Sequence, residues 1–201
     1  MLTRGCLCLI SYYLQKVRQY DRYTYLHSKR VAHVSVLIGE SIKLNSVELA
    51  GLSEAALLHD LGKIQIPLEI LNRPSKLIQS DRNLIEKHPI LGIEIIANNH
   101  KDELLHVIQG IKSHHEHFDG TGYPLGLSGE DIPLFGRIIA IADAFDAMTS
   151  FRVYRSTLTI QEANQQILQA SGSQFDPHIV IKSIANNGRW LLPQGLMAGE
   201  G

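Results

Sequence analysis

Apolar residues recur at helical spacing through Val31, Val34, Leu37 and Ile38, through Leu49, Leu52, Ala56 and Leu57, and through Ile138, Ile141, Ala142 and Phe145. No alternating apolar and polar run marks a strand. Start signals agree with helices. Thr159 followed by Glu162 reads as a capping box, and Asp176-Pro177 supplies an N-cap with proline at the first helical position. The pattern predicts an all-α, single-domain helical bundle. The rhythm breaks over residues 113–133, where Gly120, Gly122, Gly126, Gly129, Pro124 and Pro133 cluster. So long a loop inside a compact domain tends to be functional or disordered. Its start carries histidines and carboxylates, which favours function.

The opening stretch from Leu2 to Leu14 is apolar but interrupted by Ser11, too short to span a bilayer and without a clear cleavage site. It predicts a helix start, with residues 1–20 forming a helix or linker from a longer sensor protein. The bundle is expected over 21–188 and a tail over 189–201. A chain of 201 residues with 44% hydrophobic and 19% charged residues suits a single globular core. A formal net charge of -1 provides no broad basic field for polymeric nucleic acid and fits a compact anionic substrate better. Cys6 and Cys8 are too close together to staple a fold, which suits a reducing cytoplasm.

The candidate chemistry lies in the histidines. The chain has ten, and a subset is regularly placed: His27, His59 with Asp60, His88, and His114 with His115, followed by Asp143. In a bundle, an interval of about 28 residues covers roughly two helices and their connections, returning the chain to the end it left. These positions are therefore expected to meet at one end. Imidazoles and carboxylates without thiolates suit iron, manganese or zinc. Seven such side chains exceed the needs of one tetrahedral ion, and two ions bridged by Asp60 would use them all, an arrangement suited to phosphoester hydrolysis.

The plainer readings stand beside this one. A lone histidine such as His27 or His88 is more often a hydrogen-bonded core or surface residue than a ligand. His59-Asp60 is a stronger signal, because two polar groups in the apolar run from Ala55 to Ile64 need a partner, either metal or Lys63. Lys63 would share a face with His59 if the helix continues through Gly62, and could then reach a bound phosphate. Alternatively it is a lysine ending a helix. His33, His100, His106, His117 and His178 fall outside the spacing and are given no role.

Three long motifs carry a resemblance: His59-Asp60-Leu61-Gly62-Lys63-Ile64-Gln65-Ile66-Pro67, then His114-His115-Glu116-His117-Phe118-Asp119-Gly120-Thr121-Gly122-Tyr123-Pro124, then the stretch from Ile141 through Asp143 and Asp146 to Arg152-Val153-Tyr154-Arg155. With weaker matches at His27-Ser28-Lys29-Arg30-Val31-Ala32 and His88-Pro89, the chain resembles the HD-GYP cyclic di-GMP phosphodiesterases, a branch of the HD phosphohydrolases. The resemblance implies metal ligands at His27, His59, Asp60, His88, His114, His115 and Asp143, with Asp60 and Lys63 catalytic. It implies substrate contacts at Lys63, Tyr123, Arg152 and Arg155. A glutamate that gives some members a third metal is replaced here by Tyr23, so two divalent ions are expected, iron first and manganese second. The implied reaction is hydrolysis of cyclic di-GMP to pGpG, and in some members on to GMP, by a hydroxide bridging the two ions. An implied partner is a diguanylate cyclase (GGDEF) domain at the loop; a homodimer is a further expectation. Two other readings stay open: a related HD phosphohydrolase acting on other cyclic dinucleotides or on mononucleotides, and a binding or scaffold module with little catalysis.

Overall fold

A computed structural model describes residues 4–73, 76–100, 104–150 and 157–185. Arg152 and Arg155 lie outside the described residues. Among those described, ten α-helices form the domain and no strand is present, as the apolar pattern predicts. In chain order they are α1 (Arg4–Tyr20), α2 (Arg22–Ser41), α3 (Ser46–Leu58), α4 (Leu68–Leu71), α5 (Gln79–Ile85), α6 (His88–His100), α7 (Leu105–Ser113), α8 (Leu134–Thr149), α9 (Ile160–Gln169) and α10 (Pro177–Ala185).

Local chemistry sets several starts. Asp21 caps α2 by accepting from the Tyr23 and Thr24 amides at 3.2 and 2.9 Å. Asn45 and Glu48 form a capping box on α3. Thr159 and Glu162 form the expected box on α9, and Asp176 accepts from His178 N at 2.8 Å at the head of α10. Each cap satisfies amides that the first helical turn leaves without partners.

Helix α3 lies at the centre of two apolar clusters. On one side Leu52, Ala55 and Ala56 pack with Val31, Val34 and Ile38 of α2 and with Ile138, Ile141 and Phe145 of α8. On the other, Leu58 and Leu61 pack with Ile10, Tyr13 and Val17 of α1 and with Val107 and Ile111 of α7. Each large aliphatic side chain buried in this way contributes roughly 1.5–3 kcal/mol over leaving it exposed. These contacts fix α2, α3, α7 and α8 against one another. Helix α1 is also tied on by Tyr20, whose hydroxyl donates to Ile66 O at 2.6 Å. No helix among the described residues is long and apolar enough to cross a membrane.

Two details differ from expectation. The α-helix does not continue through Gly62: α3 ends at Leu58 and a 3-10 turn, Leu61–Gln65, follows. Gly62 lies against the start of α6, where a Cβ would overlap the His88 carbonyl oxygen and come 2.5 Å from Gly92 N. Tertiary packing thus overrides helical continuation. The path from His59 to His88 is also made of this turn and the short helices α4 and α5, not of two full helices. After α7 ends at Ser113, residues 114–133 contain only the short 3-10 turn Gly129–Asp131.

Candidate metal centre

All seven predicted side chains converge. His27 comes from the interior of α2, His59 and Asp60 from the end of α3, and His88 from the first position of α6. His114 and His115 directly follow α7, and Asp143 comes from the interior of α8. His27 and Asp143 therefore reach in from mid-helix, so the site is built into the side of the bundle as well as its end. The ligating atoms form two groups, His27 with His59 and Asp60, and His88 with His114 and His115, each within 4.8 Å. Asp60 lies between them. Its Oδ2 is 3.5 Å from His27 Nε2 and 3.4 Å from His59 Nε2, and its Oδ1 is 3.3 Å from His88 Nε2. Asp143 Oδ1 is 3.1 Å from His27 Nε2.

Hydrogen bonding fixes the tautomers. The Nδ1 atoms of His59, His88 and His114 lie 2.8, 2.8 and 2.7 Å from the carbonyls of Ala56, Ile85 and Ile111. A carbonyl only accepts, so each Nδ1 carries a proton and each Nε2 presents a lone pair. The Nε2 atoms of His88 and His114 face each other at 3.1 Å, and His59 Nε2 is buried without a hydrogen-bond partner. Burial pushes the pKa of His88 down to about 3, that of His115 to about 4 and those of His59 and His114 below the usual range, which disfavours an extra proton between the facing nitrogens. Buried lone pairs turned on one another beside two carboxylates are unfavourable without a cation. Imidazole nitrogen and carboxylate oxygen are the donor set a divalent ion of the iron, manganese or zinc type takes.

Charge is unevenly spread. Burial opposes a positive His27, but hydrogen bonds to Asp143 and Asp146 outweigh it and raise the pKa to about 9. Burial opposes ionisation of Asp60 as well, yet the Lys63 ammonium first, with the positive His27, holds it well below the usual carboxylate range. Asp143 and Asp146 are also held low against burial, first by hydrogen bonds from His27. Lys63 Nζ donates to Asp60 Oδ2 at 2.6 Å from a side chain that is 25% exposed, so it borders both the site and solvent.

The loop closes one side. Glu116 is buried and accepts from the amides of Leu125 and Leu127 at 2.7 and 3.0 Å. Tyr123 N donates to His115 O at 3.1 Å, and the Tyr123 ring stacks on His115 with centroids 4.8 Å apart. Gly122 permits this, because a Cβ there would overlap His117 N. Burial, with Glu86, Asp60 and Asp143 nearby, raises the Tyr123 pKa and keeps the phenol protonated. Tyr23 stacks parallel to His27 with centroids 6.5 Å apart and offers no carboxylate. Sequence reasoning missed the roles of Asp146, Arg30 and Glu116. The available signal was spacing: Arg30 follows His27, and Asp146 follows Asp143, by one helical turn.

A helical bundle that draws histidines and aspartates, most of them buried, from five helices and their ends into two adjoining ligand groups defines an HD-type metal centre. An HD domain family model matches residues 15–179, most of the chain, and with the motifs above the chain belongs to that family in its HD-GYP branch. It is 40% identical over 153 residues to the cyclic di-GMP phosphodiesterase response regulator RpfG of Xanthomonas campestris pv. campestris, covering 76% of this chain and 40% of that protein. It is 36% identical over 160 residues to a cyclic di-GMP phosphodiesterase of Thermotoga maritima, covering 80% and 44%. The chain therefore spans less than half the length of these relatives. Among solved structures, a cyclic GMP-AMP specific phosphodiesterase of Vibrio cholerae, V-cGAP3, superposes with a TM-score of 0.64 at 25% identity, covering 94% of this chain and 50% of that one.

Proposed function

We propose that this chain is a metal-dependent phosphodiesterase that opens cyclic di-GMP to linear pGpG in bacterial second-messenger signalling in the cytoplasm. The observation that carries the reading is Asp60 set between two histidine groups, with the His88 and His114 lone pairs turned on each other at 3.1 Å. On this reading the phosphodiesterase domain is 21–188, with the preceding helix α1 packed against it. Asp60 would be shared between two ions, with His27, His59 and Asp143 holding one and His88, His114 and His115 the other. Two bound divalent ions, iron or manganese, would lower the pKa of water and offset charge on the phosphate oxygens.

The chain's own residues then orient the substrate. Lys63, held at the rim by Asp60, meets a non-bridging phosphate oxygen and stabilises charge that grows during displacement of the 3′ oxygen. Tyr123 is a neutral phenol beside the cage, fixed by its stacking on His115. Arg152 and Arg155 are assigned to the second phosphate and the guanine on the motif alone. The cyclase contact rests only on the resemblance, and nothing in the structure bears on the homodimer.

A second reading, hydrolysis of 3′3′-cGAMP, draws support from relatives named for that substrate, one of them 38% identical over 161 residues. Purified iron- or manganese-loaded protein incubated with each cyclic dinucleotide separates the two. Cyclic di-GMP should be converted to pGpG at the higher rate, and turnover should vanish in His59→Ala and Asp60→Ala. Preferential loss of 3′3′-cGAMP establishes the second reading. A metal-loaded protein that binds but cleaves neither establishes a binding module instead.

A further inference from the structure

The backing of the cage histidines is unequal. His59, His88 and His114 donate from Nδ1 to neutral backbone carbonyls, whereas His27 donates to the Asp146 carboxylate at 2.7 Å. Asp146 is fully buried at 0% exposure. Arg30 holds it through Nε to Oδ1 at 2.6 Å and Nη2 to Oδ2 at 3.0 Å, and Ser150 Oγ donates to Oδ1 at 2.8 Å. The fork fixes the carboxylate plane and so aims Oδ2 at His27.

A carboxylate on the far nitrogen of a ligand histidine fixes its tautomer and raises its basicity more than a neutral carbonyl does. Carboxylates are also unevenly spread across the cage. Asp143 and the Asp146-backed His27 lie on the side of Asp60 Oδ2, which also accepts from Lys63, while among the described residues His88 pairs with the one carboxylate oxygen Asp60 Oδ1.

We propose that Asp146, locked by Arg30, is a positioning residue that orients His27 and strengthens it as a donor, making the half of the centre at His27, His59 and Asp143 the tighter of two unequal metal positions. This rests on the metal-centre reading above, but not on which cyclic dinucleotide is cleaved.

Chelator-stripped full chain titrated with Mn²⁺, with bound metal counted by elemental analysis, provides the test. Wild type should take two ions in two resolved steps. Asp146→Asn should weaken the tighter step about 10–100-fold while the weaker step moves less than about twofold. His88→Ala should abolish the weaker step and keep the tighter one. With Co²⁺ in place of Mn²⁺, the visible bands of the first equivalent should shift in Asp146→Asn, a change that general loosening of the fold would not confine to one equivalent. If Asp146→Asn does not fold, Arg30→Gln serves in its place, again with the loss confined to the tighter step. Equal weakening of both steps, no weakening, or loss of the tighter step in His88→Ala overturns the proposal while leaving the metal centre intact. Failure of wild type to take up any ion overturns both.

Discussion

Replacing Gly62 with alanine adds one methyl group where the turn after His59-Asp60 meets the start of α6 at His88. The new carbon would overlap the His88 carbonyl oxygen and lie 2.5 Å from Gly92 N, whereas ordinary van der Waals contact begins at 3.4 Å. Both obstacles are backbone, so no rotamer change relieves them, and the 3-10 turn must retreat from α6 by about 1 Å. Overpacking of this kind costs about 2–3 kcal/mol, which for a chain of this size lowers the melting temperature by about 4–12 °C. The same retreat pulls Asp60 from His88, now 3.3 Å apart. A misplacement of about 1 Å lowers turnover by about 10²-fold. Gly92→Ala is the control: its Cβ would sit 3.1 Å from Gly62 N and 3.2 Å from Ile111 Cγ2. A shift of a few tenths of an ångström relieves that contact, and the gain of about 1 kcal/mol in helix propensity offsets it. Circular-dichroism melts and metal counts on both variants provide the check. Gly62→Ala melting with wild type and binding metal equally well would refute the reasoning.

Glu116→Ala leaves the Leu125 and Leu127 amides without their acceptor, at about 1–3 kcal/mol each unless water replaces it. Amide exchange at residues 120–127 should quicken at least about tenfold, and unchanged exchange would show that Glu116 does not pin the loop. Chelation should lower the melting temperature, and Mn²⁺ at 100 times its Kd should restore about 2.7 kcal/mol per site; a melt indifferent to metal would count against the centre. Lys63→Met should reduce cyclic dinucleotide turnover about 10²–10³-fold with metal content retained. Metal content falling in proportion to turnover would reduce Lys63 to a partner for Asp60.

What sequence revealed and what it hid follow from where the deciding interactions lie. Caps such as Thr159 with Glu162 and Asp176 with His178 N act within one turn, so the residues announce them. The convergence of His27, His59, His88, His114 and Asp143 was readable because polar residues recur inside apolar runs at returning intervals. The end of α3 was not readable, since it depends on how closely Gly62 approaches a carbonyl 26 residues further along the chain. Short helices α4 and α5 were missed for a related reason: neither begins with a side-chain cap visible as a polar N-cap residue, Pro67 and Ile78 occupying those positions.

The role of Asp146 follows from a rule that sequence could have supplied. Ala56 and Ile111 are third from the ends of α3 and α7, and Ile85 is the last residue of α5. Carbonyls in a final turn lack intrahelical partners, so His59, His88 and His114 can each rest Nδ1 on one three residues back. His27 lies in the interior of α2, where the preceding carbonyls already accept helical amides, and so needs a side chain from another helix. Asp146, one turn beyond Asp143 on α8, is that side chain, and Arg30, one turn beyond His27 on α2, neutralises it. A candidate ligand histidine placed mid-helix thus predicts a buried carboxylate on the facing helix, and that carboxylate in turn predicts a cation. The chemical asymmetry of the centre is set by where each histidine falls along its helix.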